Sequence, residues 1–204
     1  VYKRQGVMAC PLDRTQQGLE WQLGVNHVGH FVLLQQIINP LRAANGARLI
    51  TLSSIAHRMG AVDFADMNYD QRPYDKWQAY GQTKSAQSLM AVELDRREKS
   101  NGIRSFAVHP GGIFTPLQRH LSNAEMAGFG WTDADRNPSA VAKKLFKSPS
   151  QGCATSLWAA TAVSLNGMGG VYCEDCNISR VVPDDSNDFT GVRQWAVASD
   201  IAEQ

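Results

Sequence analysis

Between residues 17 and 42, Leu19, Leu23, Val25, Val28, Phe31, Val32, Leu34, Ile37, Ile38 and Leu41 recur at helical spacing. This pattern predicts one long amphipathic helix. Asn26 stands in the middle of that apolar face, where an amide is either a satisfied core group or part of a site. Asn45-Gly46 supplies a helix stop, and Arg48-Leu49-Ile50-Thr51-Leu52 reads as a short buried strand with Ser53-Ser54 at its carboxyl end. Residues 59–75, rich in Gly, Asp, Asn and Pro, predict a loop. A second helix is expected from Tyr80 to about Ser100, with Ala86, Leu89, Met90, Val92 and Leu94 as its buried stripe and Asn101-Gly102 as its end. Residues 103–108 then form another apolar strand, broken by His109-Pro110-Gly111-Gly112.

The flanks are less regular. Residues 6–9 read as the end of a strand entering a loop, and Asp13 or Thr15 can cap the helix that follows. Residues 117–148 are mixed, with an apolar, glycine-rich run from Met126 to Trp131 that suits either a lid over a site or a packed surface excursion. A helix is expected after Ser148-Pro149, a last strand at Val171-Tyr172, and the start of a helix at residues 195–204. Strand, helix, strand with apolar strands is a βαβ unit, so the sheet is expected to be parallel. In such a sheet, ligands sit beyond the carboxyl ends of the strands. The order of elements therefore brings Ser54, Tyr80, Lys84 and Pro110-Gly111 to one rim.

The chain of 204 residues suits a single core, and 43% hydrophobic with 19% charged residues is ordinary globular composition. A net charge of +1 gives no electrostatic argument for nucleic acid or an anionic membrane. No apolar run approaches the length of a membrane span and no signal pattern is visible, so a cytoplasmic protein is expected. Cys173-Glu-Asp-Cys176 has the spacing of a metal knuckle or redox pair. It lacks a second pair and follows a turn and strand, which favours two reduced thiols and no metal.

The chemistry concentrates in Tyr80-Gly-Gln-Thr-Lys84, whose outer residues share a helix face one turn apart. A phenol titrates near pH ~10, and an ammonium within reach stabilises the phenolate. Such a pair can pass a proton to or from an alcohol or carbonyl oxygen. Taken alone, it is also a common pattern on solvated helices.

Its neighbours change that reading. Gly24-Val25-Asn26-His27-Val28-Gly29-His30-Phe31, Leu52-Ser53-Ser54, Tyr80-Gly-Gln-Thr-Lys84-Ser-Ala, His109-Pro110-Gly111 with Thr115, and Gly170-Val171-Tyr172-Cys173 occur in order along the chain. Together they resemble the short-chain dehydrogenase/reductase family, in the branch of the retinol dehydrogenases and WW-domain oxidoreductase. The resemblance implies a Rossmann-like, doubly wound α/β fold with a parallel sheet, of which residues 1–204 form the catalytic part as one partial domain. It implies Tyr80 as general acid/base, Lys84 as the group that lowers the Tyr80 pKa and holds the nicotinamide ribose, and Ser54 as a hydrogen-bond donor to the substrate oxygen. Asn26 would kink its helix and anchor a proton-relaying water, and Pro110, Gly111, Ile113 and Thr115 would line the cofactor. The implied cofactor is NADP or NAD, with NADP favoured. The implied partner is a small alcohol or carbonyl compound, apolar by the Met126, Phe129 and Trp131 segment, and homo-oligomers through the two long helices are expected.

The sequence also departs from the family. There is no Gly-x-x-x-Gly-x-Gly upstream of Asn26, and Lys3-Arg4-Gln5-Gly6 stands where the family reads Asn-Asn-Ala-Gly. Residues 1–5 are therefore read as an artefact, and the chain as a fragment without the cofactor-loop half, itself expected to be inactive. Sugar-nucleotide epimerases or dehydratases share the Tyr-x-x-x-Lys chemistry, and a non-catalytic binding protein could keep the fold. The short region after Thr115 argues against the first, and the intact Asn26, Ser54, Tyr80 and Lys84 set against the second. The five histidines are read as non-catalytic, because Tyr80 fills the acid/base position.

Overall fold

A computed structural model describes residues 6–204, so the reading of residues 1–5 lies outside it. The main sheet has the order β1 (Ala47–Leu52), β2 (Ile103–His109), β3 (Val171–Glu174), β4 (Asn177–Ile178). β1 and β2 run parallel from Ala47↔Ile103 to Leu52↔Val108, and β2 and β3 from Phe106↔Val171 to His109↔Glu174. β4 turns back antiparallel to β3 through a tight hairpin at Asp175-Cys176, both left-handed. A two-stranded parallel pair, β5 (Val181–Val182) with β6 (Val192–Arg193), completes the strands among the described residues.

The period of two along β2 divides the core. Ala107 and Tyr172 face α3 (Lys76–Glu98), packing with Ala91, Val192 and Ala196. Phe106, Val108 and Cys173 face the other way, onto Ala159 of α6 (Pro149–Thr161) and Leu165. Helices on both faces of a parallel sheet are the expected doubly wound arrangement. The Asp75 carboxylate accepts from the Trp77 and Gln78 N–H groups and starts α3 before Tyr80, while Gly102 at φ 78° ends the run after Asn101.

The first helix departs from the expected single run over residues 17–42. It begins later, because Glu20 caps it with bonds of 2.9 Å and 2.7 Å from the Gln22 and Leu23 N–H groups. It is also broken into α1 (Trp21–Leu23), a π-helical turn over Gly24–Val28, and α2 (Gly29–Ala43). The wide turn is centred on Asn26, in keeping with the frequent placement of π-turns at functional positions. Residues 6–9 are not a strand. The Asn26 side chain instead accepts from the Val7 N–H at 2.9 Å and donates to the Val7 carbonyl at 2.8 Å, while Gln22 Oε1 accepts from the Ala9 N–H at 2.9 Å. Two side-chain amides thus replace a strand ladder and satisfy this buried backbone.

Residues 117–148 fold as α4 (Asn123–Gly128) and α5 (Ala140–Leu145) with turns between. Among the described residues no helix is long and apolar enough to cross a membrane.

Candidate active site

The carboxyl end of β1 continues into Ser53 and Ser54, and Ser54 caps a 3-10 turn over Ile55–Met59 by accepting from the Ala56 N–H at 3.1 Å. This turn lies directly on the first half of α3. A Cβ on Gly81 would fall 2.6 Å from the Ala56 carbonyl oxygen and 2.7 Å from the Gly60 nitrogen. A Cβ on Gly60 would fall 2.6 Å from the Gln78 carbonyl oxygen. Two glycines facing each other therefore allow backbone-to-backbone approach, setting Ser54 beside Tyr80. Ser85 Oγ donates to the His57 carbonyl at 3.1 Å and to the Gly60 carbonyl at 2.6 Å, tying the same surfaces together.

Tyr80 is almost wholly buried, packed against Met8, Ala9, Ala56, Leu121 and Met126. Burial holds its phenol well above the usual value, while the Ser54 hydroxyl favours the phenolate and pulls the other way. The phenol is thus protonated across the neutral range. Lys84, one turn on, places its Nζ 5.5 Å from the centre of the Tyr80 ring and donates to the Leu52 carbonyl at 2.9 Å. Desolvation lowers the Lys84 pKa to about 8. Ser54, Tyr80 and Lys84 are thereby brought together at the carboxyl end of β1, as the sequence pattern anticipates. Asn26 reaches α3 at other points. Its Nδ2 donates to Thr83 Oγ1 at 3.2 Å, and its carbonyl accepts from the Gln87 side chain.

The loop after β2 forms the second wall. Gly111 is left-handed at φ 94°, a conformation that favours glycine. Among the described residues the N–H groups of Gly112, Ile113 and Phe114 donate to no acceptor. These three amides are left free for a partner at the end of β2. Thr115 caps the next turn, accepting from the Leu117 N–H at 3.2 Å. Pro110, Gly111, Ile113 and Thr115 share the loop after β2, with Ile113 packed onto Gly152 of α6 and the Lys147 side chain lying against Gly111.

Sequence reasoning missed the residues that hold these walls. His57 is fully buried, bonded through Nδ1 to the Ser54 carbonyl at 2.8 Å and through Nε2 to the Arg193 N–H at 3.0 Å. Burial lowers its pKa to about 4, so it is neutral and donates from Nδ1. His109 Nδ1 accepts from the Ile55 N–H at 3.3 Å and the Gly111 N–H at 3.4 Å, joining the loops after β1 and β2. Burial first, then Lys147, brings His109 to about 4 as well. Ser53 Oγ donates to the Lys84 carbonyl at 2.9 Å and accepts from Ser88 Oγ at 2.8 Å. The only sequence signal for any of these was adjacency to Ser54 or to Pro110-Gly111.

Cys173 is buried in β3, Cys176 is exposed in the hairpin turn, and both are free thiols. Burial raises Cys173 to about 12, which makes it an inert thiol.

A parallel sheet with helices on both faces is a Rossmann-type doubly wound arrangement, and Ser54, Tyr80 and Lys84 stand at its carboxyl edge. No protein-family model matches the chain. The chain is 39% identical over 200 residues to a probable oxidoreductase of Streptomyces lividans, covering 98% of this chain and 66% of that protein. It is 34% identical over 196 residues to human retinol dehydrogenase 12, covering 96% of this chain and 58% of that protein. It is also 36% identical over 195 residues to a short-chain dehydrogenase/reductase of Penicillium roqueforti. Among solved structures, an uncharacterised protein of Mycobacterium paratuberculosis superposes with a TM-score of 0.64 at 27% identity, over 97% of this chain and 60% of that one. A gluconate 5-dehydrogenase of Burkholderia cenocepacia shares the fold, with a TM-score of 0.56 at 17% identity over 83% of this chain and 60% of that one. The chain belongs to the short-chain dehydrogenase/reductase family. It spans 66% of the length of the Streptomyces relative and less of the others.

Proposed function

We propose that this chain carries the catalytic part of a nicotinamide-dependent oxidoreductase that interconverts an alcohol and a carbonyl. The observation that supports this best is the convergence of Ser54, Tyr80 and Lys84 on one strand end, beside a loop of unpaired amides. That loop and the Lys84 ammonium fit a nicotinamide cofactor, which when bound supplies or accepts the hydride. Pro110, Gly111, Ile113 and Thr115 would line it, and Lys84 would hold its ribose hydroxyls. Asn26 acts by holding the wall formed by residues 6–9 and bracing α3 through Thr83.

In the reducing direction the protonated Tyr80 phenol donates its proton to the substrate oxygen, and in oxidation it takes one. The Ser54 hydroxyl hydrogen-bonds the same oxygen and steadies its growing negative charge. The Lys84 charge compensates the phenolate left after transfer. Leu121 and Met126 of the α4 segment pack against Tyr80 and form an apolar side of the site. Trp77, Phe129 and Trp131 stack around that segment, with centroids of Phe129 and Trp131 5.1 Å apart, which favours an apolar substrate. NADP is our preferred cofactor on the family resemblance. The four free thiols fit a reducing, cytoplasmic setting. Self-association is assigned to the α2 and α3 faces, where Phe31 and Val32 are exposed beside a groove of about 960 Å³.

The test is a titration of the chain with NADPH and NADH, followed by nicotinamide fluorescence. Saturable binding weakened about tenfold or more by Lys84→Ala, the loss of a charge-assisted bond, is expected. Tyr80→Phe should keep binding and lose turnover of carbonyl compounds. Absence of binding by the parent chain refutes cofactor binding by this part alone, and full turnover by Tyr80→Phe refutes the reading.

A further inference from the structure

A second cavity borders the segment that packs against Tyr80. It is an open pocket of about 410 Å³, and its lining includes Phe114, Met126, Thr132, Arg119 and Arg136. Met126 and Phe114 also pack against Tyr80's cluster, so one apolar wall separates this pocket from the phenol. Two guanidinium groups, of the exposed residues Arg119 and Arg136, also line the pocket. Among the described residues, neither Arg119 nor Arg136 has a carboxylate within 4.0 Å. Among the described residues, Arg119 donates only to the Pro116 carbonyl of its own turn at 3.1 Å, and Arg136 only to the Leu121 carbonyl at 3.1 Å and the Met126 sulfur at 3.7 Å.

The acids closest in sequence do not answer these charges. Asp133 accepts from the Asp135 and Asn137 N–H groups at 3.0 Å and 2.8 Å, and Glu125 is taken by Ser122 and Lys76. Arg136 itself is held at φ 67°, a left-handed backbone that is costly for a residue with a Cβ. The Thr132 hydroxyl, buried in the lining, has no hydrogen-bond partner among the described residues. The pocket thus combines two exposed cations that have no carboxylate beside them with an apolar lining shared with the Tyr80 cluster.

We propose that this pocket binds the carboxylate end of the substrate, which makes the substrate an organic acid with an apolar body. The inference rests on the reading of the Tyr80 site as an alcohol/carbonyl centre. A guanidinium presents paired N–H donors that match a carboxylate, and two of them fix its position. The apolar body then passes over Met126 and Phe114 toward the Tyr80 phenol.

Decanoate and decanol serve as probes, with binding to the full chain measured by calorimetry and by tryptophan fluorescence. Decanoate should bind at least about tenfold more tightly than decanol. Arg119→Gln should remove that preference and leave decanol unchanged. Arg119 is the better target, because it braces only its own turn, whereas Arg136 also holds Leu121. Arg136→Gln is made alongside, with thermal melts reporting its folding. Equal affinity for the two probes, no binding of decanoate, or an Arg119→Gln protein that still prefers decanoate would overturn the proposal. NADPH titration of the same samples separates the two claims. Loss of decanoate recognition with NADPH binding intact refutes the pocket alone, and the reverse result refutes cofactor binding by this part alone.

Discussion

Gly81→Ala separates local propensity from tertiary packing by the sign of its effect. In the middle of a helix, replacing Gly by Ala stabilises by about 1 kcal/mol, because the backbone loses less freedom on folding. At this position the new methyl would lie 2.6 Å from the Ala56 carbonyl oxygen and 2.7 Å from the Gly60 nitrogen. Both are backbone atoms of the turn that carries Ser54, so no side chain can rotate away. Relief requires α3 and that turn to separate by most of an ångström, which strains Ser85's bonds to the His57 and Gly60 carbonyls. Overpacking of this kind costs roughly 1–3 kcal/mol and weakened hydrogen bonds about 1 kcal/mol more, so the net expectation is a destabilisation of about 1–3 kcal/mol. Gly128→Ala, in α4 with nothing within 4 Å of its added methyl, is the matched control and should not destabilise. Urea unfolding followed by tryptophan fluorescence gives both values. A Gly81→Ala protein as stable as its parent, or more so, would refute the idea that backbone contact sets the Ser54–Tyr80 geometry. Turnover should fall with stability, because the same displacement separates the two hydroxyls.

Further outcomes follow from the same structure. Asn26→Ala leaves the buried Val7 N–H and C=O without partners and should cost about 2–5 kcal/mol in urea unfolding; a cost below about 1 kcal/mol would mean that water replaces the amide. His57 binds its proton at about 4 when folded, against 6.5 unfolded, so its contribution to stability is complete above pH 6.5 and is lost as the pH falls toward 4. By pH 5 the loss is about 2 kcal/mol, and His57→Asn should flatten the pH dependence of unfolding by that amount. The Lys84 pKa is lowered by desolvation to about 8 against 10.5, but the side chain is half-buried and donates at an exposed position, so only a modest penalty at neutral pH is relieved as the pH rises from 8 to 10.5. Lys84→Met should therefore raise the melting temperature at pH 7, by less at pH 10, while weakening nicotinamide binding. An equal gain at both pH values would count against a desolvated ammonium.

Much of the site was legible in the chain because it follows from element order. β1, α3 and β2 were readable from apolar periodicity, and in a parallel βαβ unit their ends fall on one edge whatever the details. Ser54, Tyr80, Lys84 and Pro110-Gly111 therefore had to meet, and the structure brings them together. The first helix shows the limit of periodicity. Its apolar positions are correct, yet they carry no sign of the π-turn at Gly24–Val28, which depends on Asn26 finding Val7 and Thr83. The same holds for the expected strand at residues 6–9, replaced by side-chain amides from another element.

The sequence by itself determined the helices and strands of the βαβ unit, their parallel sense and the residue types at the rim. Those features depend on local spacing and on chirality, which the chain carries everywhere. Only the tertiary structure decided how the rim is held and covered. The Gly60–Gly81 contact, the neutral His57 and His109 that tie three loops, and the burial that keeps the Tyr80 phenol protonated all join residues distant in the chain. Desolvation and close approach belong to the assembled packing, and no pattern along one segment encodes them.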